Sequence, residues 1–313
     1  SAMRNLIRGM LAAAWALSAT AVLAQQLQTA PVNPEFLRRQ LLRQGEETNF
    51  GHQPHLLDMS HTRQLQPLRR PLGGGLPAAY DLRTYGKMTS VKNQGAYGTC
   101  WAHATFGSLE SWLLPGETRD FSENNLANWH GFDYTFNQGG HAWMSSAYLA
   151  RWAGPYNEVD DPYPNVGASP APGSVVQKHV QTVIFLPERS SFTDNNAIKQ
   201  AIMDYGALYC AFYWDAAYYN STNKAFYCNG STSANHAVTL AGWDDNFPAS
   251  NFNTMPPGNG AFLIKNSWGA GWGSSGYFWI SYYDTSFQEV VCFKDGQATN
   301  NYLAVNQYDP LGW

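Results

Sequence analysis

The sequence predicts an α+β protein of two lobes, helical first and strand-rich second, with a cleft between them. Three observations carry that expectation. Segments of helical apolar periodicity fill the region from about residue 90 to 180, and strand-like runs dominate from about 181 to 300. The 313 residues suffice for a sizeable core, and the composition is globular, 44% hydrophobic with only 13% charged. A run of helices followed by a run of strands packs as separate layers, and their junction is a natural groove.

Taken in order, the first helix is expected over 100–114. Phe106, Leu109 and Leu113 recur at helical spacing, and Pro115-Gly116 stops it. A second is expected over 121–129, with Ser122 as N-cap and Asn125 at the third helical position. A third covers 142–152, followed by a Pro/Gly/Asn-rich loop at 155–173. Strands are expected at 182–186, 207–214, 237–242, 261–265 and 277–283, with a short helix at 195–205 between the first two. No internal repeat is evident.

The N-terminal quarter reads differently. Ser1-Ala2 has the look of a cloning scar, and 3–24 reads as a secretory signal. Arg4 and Arg8 form its basic start, 10–23 its apolar run, and Val22-Leu23-Ala24 its cleavage site. That run is too short to span a bilayer comfortably. Residues 25–75 are polar and Arg/Gln-rich. Within them 34–43 predicts a short amphipathic helix with Phe36, Leu37 and Leu41 on one face. Arg69-Arg70-Pro71-Leu72-Gly73-Gly74-Gly75 forms a protease-accessible linker. This stretch reads as a removable pro-segment, and its part around 34–43 or the following linker is expected in the cleft near Cys100. The remainder, 76–313, is the main domain. A secreted or periplasmic soluble monomer follows, with no membrane in the mature form. The net charge of −4 and the absence of a Lys/Arg-rich run argue against a nucleic-acid partner.

The chemistry gathers at Asn93-Gln94-Gly95-Ala96-Tyr97-Gly98-Thr99-Cys100-Trp101-Ala102. A cysteine at a helix N-terminus is poised as a thiolate. A glutamine six residues earlier, across two glycines, can fold an amide donor back beside it. His236 opens an apolar strand that ends at Gly242, so the strand can anchor a ring that points into the cleft. A lone histidine there is usually a satisfied core group. Asn266 follows thirty residues later, in Lys265-Asn266-Ser267-Trp268-Gly269. Its amide oxygen can accept the imidazole N–H and fix the tautomer, and Trp268 can shield that bond from water. His103, one helical turn past Cys100, is expected to pack behind the site. Asp244-Asp245-Asn246 reads as an acidic turn rather than a calcium site. No Cys/His cluster has zinc-site spacing, so neither metal nor cofactor is expected.

These residues resemble the papain-like (C1) cysteine peptidases. The resemblance runs from about residue 76 to 294. It rests on 77–83 as the mature N-terminus, on Val91-Lys92-Asn93-Gln94-Gly95 with Cys100-Trp101-Ala102, on Ser122-Glu123-Asn124, on Gln138-Gly139-Gly140, and on Asn266-Ser267-Trp268-Gly269 with Gly271-Trp272-Gly273. It implies a papain-like fold, with a helical lobe, an antiparallel barrel-like lobe and the active site between them. It also implies Cys100 as nucleophile, His236 as acid/base and Asn266 as the orienting residue. Gln94 and the Cys100 N–H would form the oxyanion hole, and Gly139, Gly140, Asn235 and Trp268 would line the substrate cleft. The thiol should then ionise well below its free value of about 8.5.

Departures from the pattern are informative. Tyr97, Asn137 and Trp129 stand where the family usually has cysteines, so the bridges of the helical lobe are absent and the Gln94 loop must be held by packing or hydrogen bonds. The resemblance implies a Cys228–Cys292 disulfide with Cys210 free and buried. The rival pair is Cys210–Cys228. The short pro-segment resembles that of bacterial members such as xylellain. The expected activity is an exported cysteine endopeptidase acting on peptide or protein substrates, made as a zymogen with its pro-segment as intramolecular inhibitor. The alternatives are a transglutaminase-like acyl transferase and a catalytically silent peptide-binding module on the same fold.

Overall fold

The strand-rich half forms one sheet whose neighbours do not follow chain order. The structure, a computed structural model, describes residues 30–42, 50–64, 75–230 and 232–302. The signal at 3–24 and most of the linker at 69–75 lie outside them. The elements below belong to the unit Val32–Trp313. They are α1 (Pro34–Leu42), β1 (Ala79–Asp81), α2 (Cys100–Leu113), α3 (Glu123–Trp129), α4 (Ala142–Ala150), β2 (His179–Phe185), α5 (Asn196–Tyr205), β3 (Leu208–Phe212), β4 (Tyr219–Asn220), β5 (Ala225–Phe226), β6 (His236–Asp244), β7 (Ala261–Lys265), β8 (Tyr277–Ser281) and β9 (Gln288–Gln297). Among the described residues the sheet order is β2-β9-β3-β6-β7-β8-β5-β4, with β1 added to β6. Every pair is antiparallel except β5 with β8.

The alternation of strand side chains divides the core in two. Leu208, Cys210 and Phe212 of β3 face one core, shared with α5, Phe262 and Phe278. Tyr209 and Ala211 of the same strand face a second core under α2 and α4, with Trp101, Phe106 and Tyr148. Hence α2, buried at nearly every position, lies against β3, β6 and β9 with its first residue at the junction. Ser122 caps α3 as expected, its hydroxyl accepting from the Asn125 N–H at 3.0 Å. Behind α2, the half-buried Lys92 ammonium lies 2.6 Å from Asp120, 2.9 Å from Glu123 and 3.6 Å from Glu110. Those three carboxylates hold its pKa above the ordinary lysine value despite burial.

Two expectations need correction. Cys228 and Cys292 are not bridged, and all four cysteines are free. Cys292 lies in β9 and Cys228 just past β5, so β3, β6, β7 and β8 separate them in the sheet. The Cys228 sulfur instead sits 3.6 Å from the Thr232 hydroxyl, and its N–H donates to Asp284 at 2.8 Å. Second, the predicted helix forms as α1 but buries only part of its apolar face: Phe36 is half-buried, whereas Leu37 is 49% and Leu41 88% exposed. The helix is held through its polar side, where Glu35 binds Arg38 and Arg39, and Arg39 donates to the Ala234 carbonyl at 3.1 Å.

Candidate active site

Three elements meet at one end of the sheet. Cys100 is the first residue of α2, His236 the first of β6, and Asn266 follows β7, which pairs with β6. The Ala237 N–H donates to the Cys100 sulfur at 3.3 Å, which brings the strand end onto the helix start. His236 Nε2 donates to Asn266 Oδ1 at 2.9 Å. An amide oxygen only accepts, so Nε2 carries the hydrogen and Nδ1 is the lone-pair nitrogen. That Nδ1 is buried, with no hydrogen-bond partner among the described residues. Trp268 stacks on the imidazole at 4.8 Å and 16°, covering it from water.

Gln94 is fixed by Ser267, the residue after Asn266. Its backbone N–H donates to the Ser267 carbonyl at 2.8 Å, and its Oε1 accepts from the Ser267 hydroxyl at 2.6 Å. With the oxygen thus engaged, Nε2 is the group facing the cleft. It donates to the Tyr97 carbonyl at 2.8 Å and to the Phe50 carbonyl at 3.0 Å. Hydrogen bonds do the work of the missing bridges here. Gly98 N–H donates to Asn137 Oδ1 at 2.7 Å, and Tyr163 hydroxyl donates to the Gln94 carbonyl at 2.7 Å. The Tyr97 ring stands edge-on to Phe136 at 5.3 Å. Tyr163 comes from the proline-rich loop, where no periodicity marks it.

A short segment of the chain's own N-terminal part crosses this site. Gly140 N–H donates to the Gly51 carbonyl at 2.9 Å, and Gln53 N–H donates to the Gly140 carbonyl at 2.9 Å, so His52 lies in a parallel bridge beside Gly140. His52 N–H donates to the Asn235 carbonyl at 3.3 Å. The Asn235 side chain is turned away, bonded to the Trp214 backbone. Phe50 packs at 5.4 Å from His236 and 5.5 Å from Trp268. Gly140 is kept bare by the helix behind it, since a Cβ there would fall 2.5 Å from the Trp101 ring. The neighbouring Gly139 is equally tight against Gly51. The covering residues lie between the predicted helix and the linker, rather than in either.

Covering changes the electrostatics. Burial pushes the Cys100 thiol up to about 12, against N–H groups of Ala237, Trp101 and Cys100 that favour the thiolate. Burial also pushes His236 down to about 4, opposed by its Asn266 bond. The low thiol value expected from the helix start is therefore not that of the covered site, where burial favours the neutral form of each group. His103 packs behind it, its Nδ1 3.0 Å from the Thr99 carbonyl, and burial pushes it down to about 3.

The profile of the papain family cysteine proteases matches residues 76–292. The viral cathepsin of Lymantria dispar multicapsid nuclear polyhedrosis virus is 33% identical over 210 residues, covering 64% of this chain and 53% of that protein. The chain spans about half the length of the curated relatives it matches. The cysteine protease and lectin-like domains of Cwp84, a surface layer associated protein of Clostridium difficile, superpose with a TM-score of 0.73 at 28% identity, covering 87% of this chain and 62% of that one. Digestive procathepsin L2 from Tenebrio molitor larval midgut, at 22% identity and a TM-score of 0.58 over 85% of this chain and 83% of its own, shares the fold. No helix among the described residues is long and apolar enough to cross a membrane.

Proposed function

This chain belongs to the papain family of cysteine proteases, and from that premise we propose that it is an exported cysteine endopeptidase whose cleft is closed by its own residues 50–55 until they are removed. One observation carries the reading most. The Gln94 side-chain amide donates to a peptide carbonyl, that of Phe50, beside Cys100 and the His236–Asn266 pair. A donor already aimed at a carbonyl oxygen is what an oxyanion site requires.

Departure of the segment readmits water, which lowers the thiol pKa and raises the imidazole pKa, so the proton moves from Cys100 to His236. The thiolate attacks the substrate carbonyl. Gln94 Nε2 and the Cys100 N–H take the oxyanion, and His236 gives its proton to the departing amine as the C–N bond breaks. Water, deprotonated by His236, then splits the thioester and restores the thiol. Asn266 keeps the ring in the tautomer this cycle needs. Gly139, Gly140, Asn235 and Trp268 line the path of the substrate. Export is supported by the signal-like 3–24, and removal of the segment by the arginine pair in 65–74.

The test treats the full chain with trace trypsin to nick 65–74, then follows iodoacetamide labelling and hydrolysis of a casein-derived peptide mixture. Labelling of Cys100 with peptide hydrolysis, both lost in Cys100→Ala, supports the reading. Amine incorporation that exceeds hydrolysis would move the protein to the acyl transferases, and labelling without any turnover would make it a silent binder.

A further inference from the structure

His103 packs behind the site, but packing does not account for one of its ring nitrogens. The residue lies in the first turn of α2 and is 7% exposed. A carbonyl only accepts, so the 3.0 Å contact with the Thr99 oxygen puts the ring hydrogen on Nδ1. Tyr163 stands edge-on to the imidazole at 5.0 Å and holds its plane. Burial favours the neutral ring. Nε2 is therefore a lone-pair acceptor, and it is buried with no hydrogen-bond partner among the described residues.

Asn266 presents the matching half. It is 2% exposed. Its Oδ1 accepts from His236 Nε2 and from the Ser267 N–H, both at 2.9 Å. Its Nδ2 carries two hydrogens and also has no hydrogen-bond partner among the described residues. Both residues line one small cavity, of about 10 Å³, where α2 faces β6 and β7. That is about the room one water needs. A water there accepts from Asn266 Nδ2 and donates to His103 Nε2, so two costly buried polar groups are satisfied at once.

Four charged groups line the same cavity: Lys92, Lys265, Glu110 and Glu123. Lys92 is paired with both carboxylates. Lys265 donates to the Thr89 hydroxyl at 3.1 Å, and Glu110 accepts from that hydroxyl at 2.6 Å and from the Phe121 N–H at 2.8 Å. Lys265 is the one that competes for Asn266. An ammonium favours an amide oxygen turned into the cavity. That flip would set the Asn266 N–H groups against those of His236 and Ser267. An imidazole acceptor on the cavity favours the amide nitrogen there and opposes the flip. We propose that His103 is a positioning residue for His236: through one water in this cavity it holds the Asn266 amide with its oxygen on the imidazole. This rests on the peptidase reading above and adds a member to its machinery. His103 acts through Asn266 and not on the substrate, and the chain of contacts runs from His103 through the water and Asn266 to His236.

The test uses the full chain nicked as above and one peptide that it cleaves. His103→Phe keeps a ring and removes the acceptor. Its kcat should fall about threefold to tenfold, the size of one hydrogen bond, with KM unchanged. The alkaline limb of its kcat/KM profile should move to lower pH by about 0.5–1 unit, because a loosened Asn266 supports the His236 imidazolium less. His103→Gln, whose amide can meet both the Thr99 carbonyl and the water, should recover most of the rate. In an Asn266→Ala background, adding His103→Phe should cost no more than about twofold further. An unchanged kcat and limb in His103→Phe, a fall confined to KM, or losses that multiply in the double variant overturn the positioning role and leave the peptidase standing. Imidazole nitrogen NMR of the unsubstituted full chain serves if the phenylalanine variant misfolds. It should show His103 with its hydrogen on Nδ1 and a hydrogen-bonded Nε2, and the opposite tautomer overturns the proposal. No cleavage by the nicked wild-type chain and no labelling of Cys100 overturn the peptidase reading, and this role with it.

Discussion

Replacing Gly51 by alanine tests whether residues 50–55 hold the cleft shut. Gly51 has a φ of +106°, and a Cβ there would fall 2.1 Å from the carbonyl carbon and oxygen of Gly98. Gly98 cannot retreat, because its N–H is tied to Asn137 and its loop to Gln94 and Tyr163. Overpacking of this kind costs about 1–3 kcal/mol, and the strained φ about 1–3 kcal/mol more. The closed form therefore loses about 2–6 kcal/mol, or roughly 30-fold to 10⁴-fold in the ratio of closed to open, at 1.4 kcal/mol per tenfold.

Cys100 is fully buried under the segment, so in the full-length, unnicked chain it reacts with iodoacetamide only through opening. Its alkylation rate, mapped by mass spectrometry, then reads the open fraction. Gly51→Ala should raise that rate at least 30-fold, while Cys210, Cys228 and Cys292 stay slow as internal controls. Gly75→Ala, with no atom near its added methyl, should change nothing. A Cys100 rate within threefold of wild type would falsify the closure argument. A rise in all four cysteines together would mean that the domain had unfolded, which also refutes local release.

Three further outcomes follow from particular contacts. Ser267→Ala frees the Gln94 amide to rotate, and peptide hydrolysis by the nicked chain should fall about tenfold in kcat with little change in KM, less than loss of the donor itself in Gln94→Ala, about 10²–10³-fold; a KM effect alone would count against the oxyanion role. Because all four cysteines are free, the urea-unfolded protein should titrate four thiols without reductant, and a count of two would restore the disulfide. Thermal stability should fall below about pH 6.5 and more steeply below about pH 4.5: His103, His130, His141 and His236 have folded values pushed down to about 3 or 4, so stability is full above their unfolded value of about 6.5 and is lost as pH falls, at about 1.4 kcal/mol per pH unit for each. Glu158, Asp284 and Glu289, raised to about 7, 6 and 8, gain as pH falls toward their unfolded values and offset part of that loss until they are protonated in both states; a melting curve flat to pH 3 would contradict the assignment.

What the sequence made legible is what a short stretch of chain encodes by itself. The start of α2, the Ser122 cap and the limits of β7 are local, set by periodicity, a side-chain oxygen and flanking breakers, and the structure places them within a residue or so of expectation. Gln94, Cys100, His236 and Asn266 were readable for the same reason, since each sits in a compact run with its own geometry. β9 was not, because Glu289, Lys294 and Asp295 interrupt its apolar pattern and the two positive-φ residues, Glu289 and Asp295, break its pleat. β4 and β5, two residues each, carry no period at all. The α1 face misled for a different reason. Apolar spacing predicts burial only where an apolar partner exists, and α1 docks through Arg39 onto a backbone carbonyl. The covering segment was hardest to place, because its partners are remote. Phe50 meets Gln94 and His236, and His52 meets Tyr209 and Glu289. None of these pairs shares a local pattern, yet together they decide which groups in the cleft are charged. Local sequence therefore singles out the candidate groups, whereas the way burial shifts their protonation depends on contacts that only the folded chain creates.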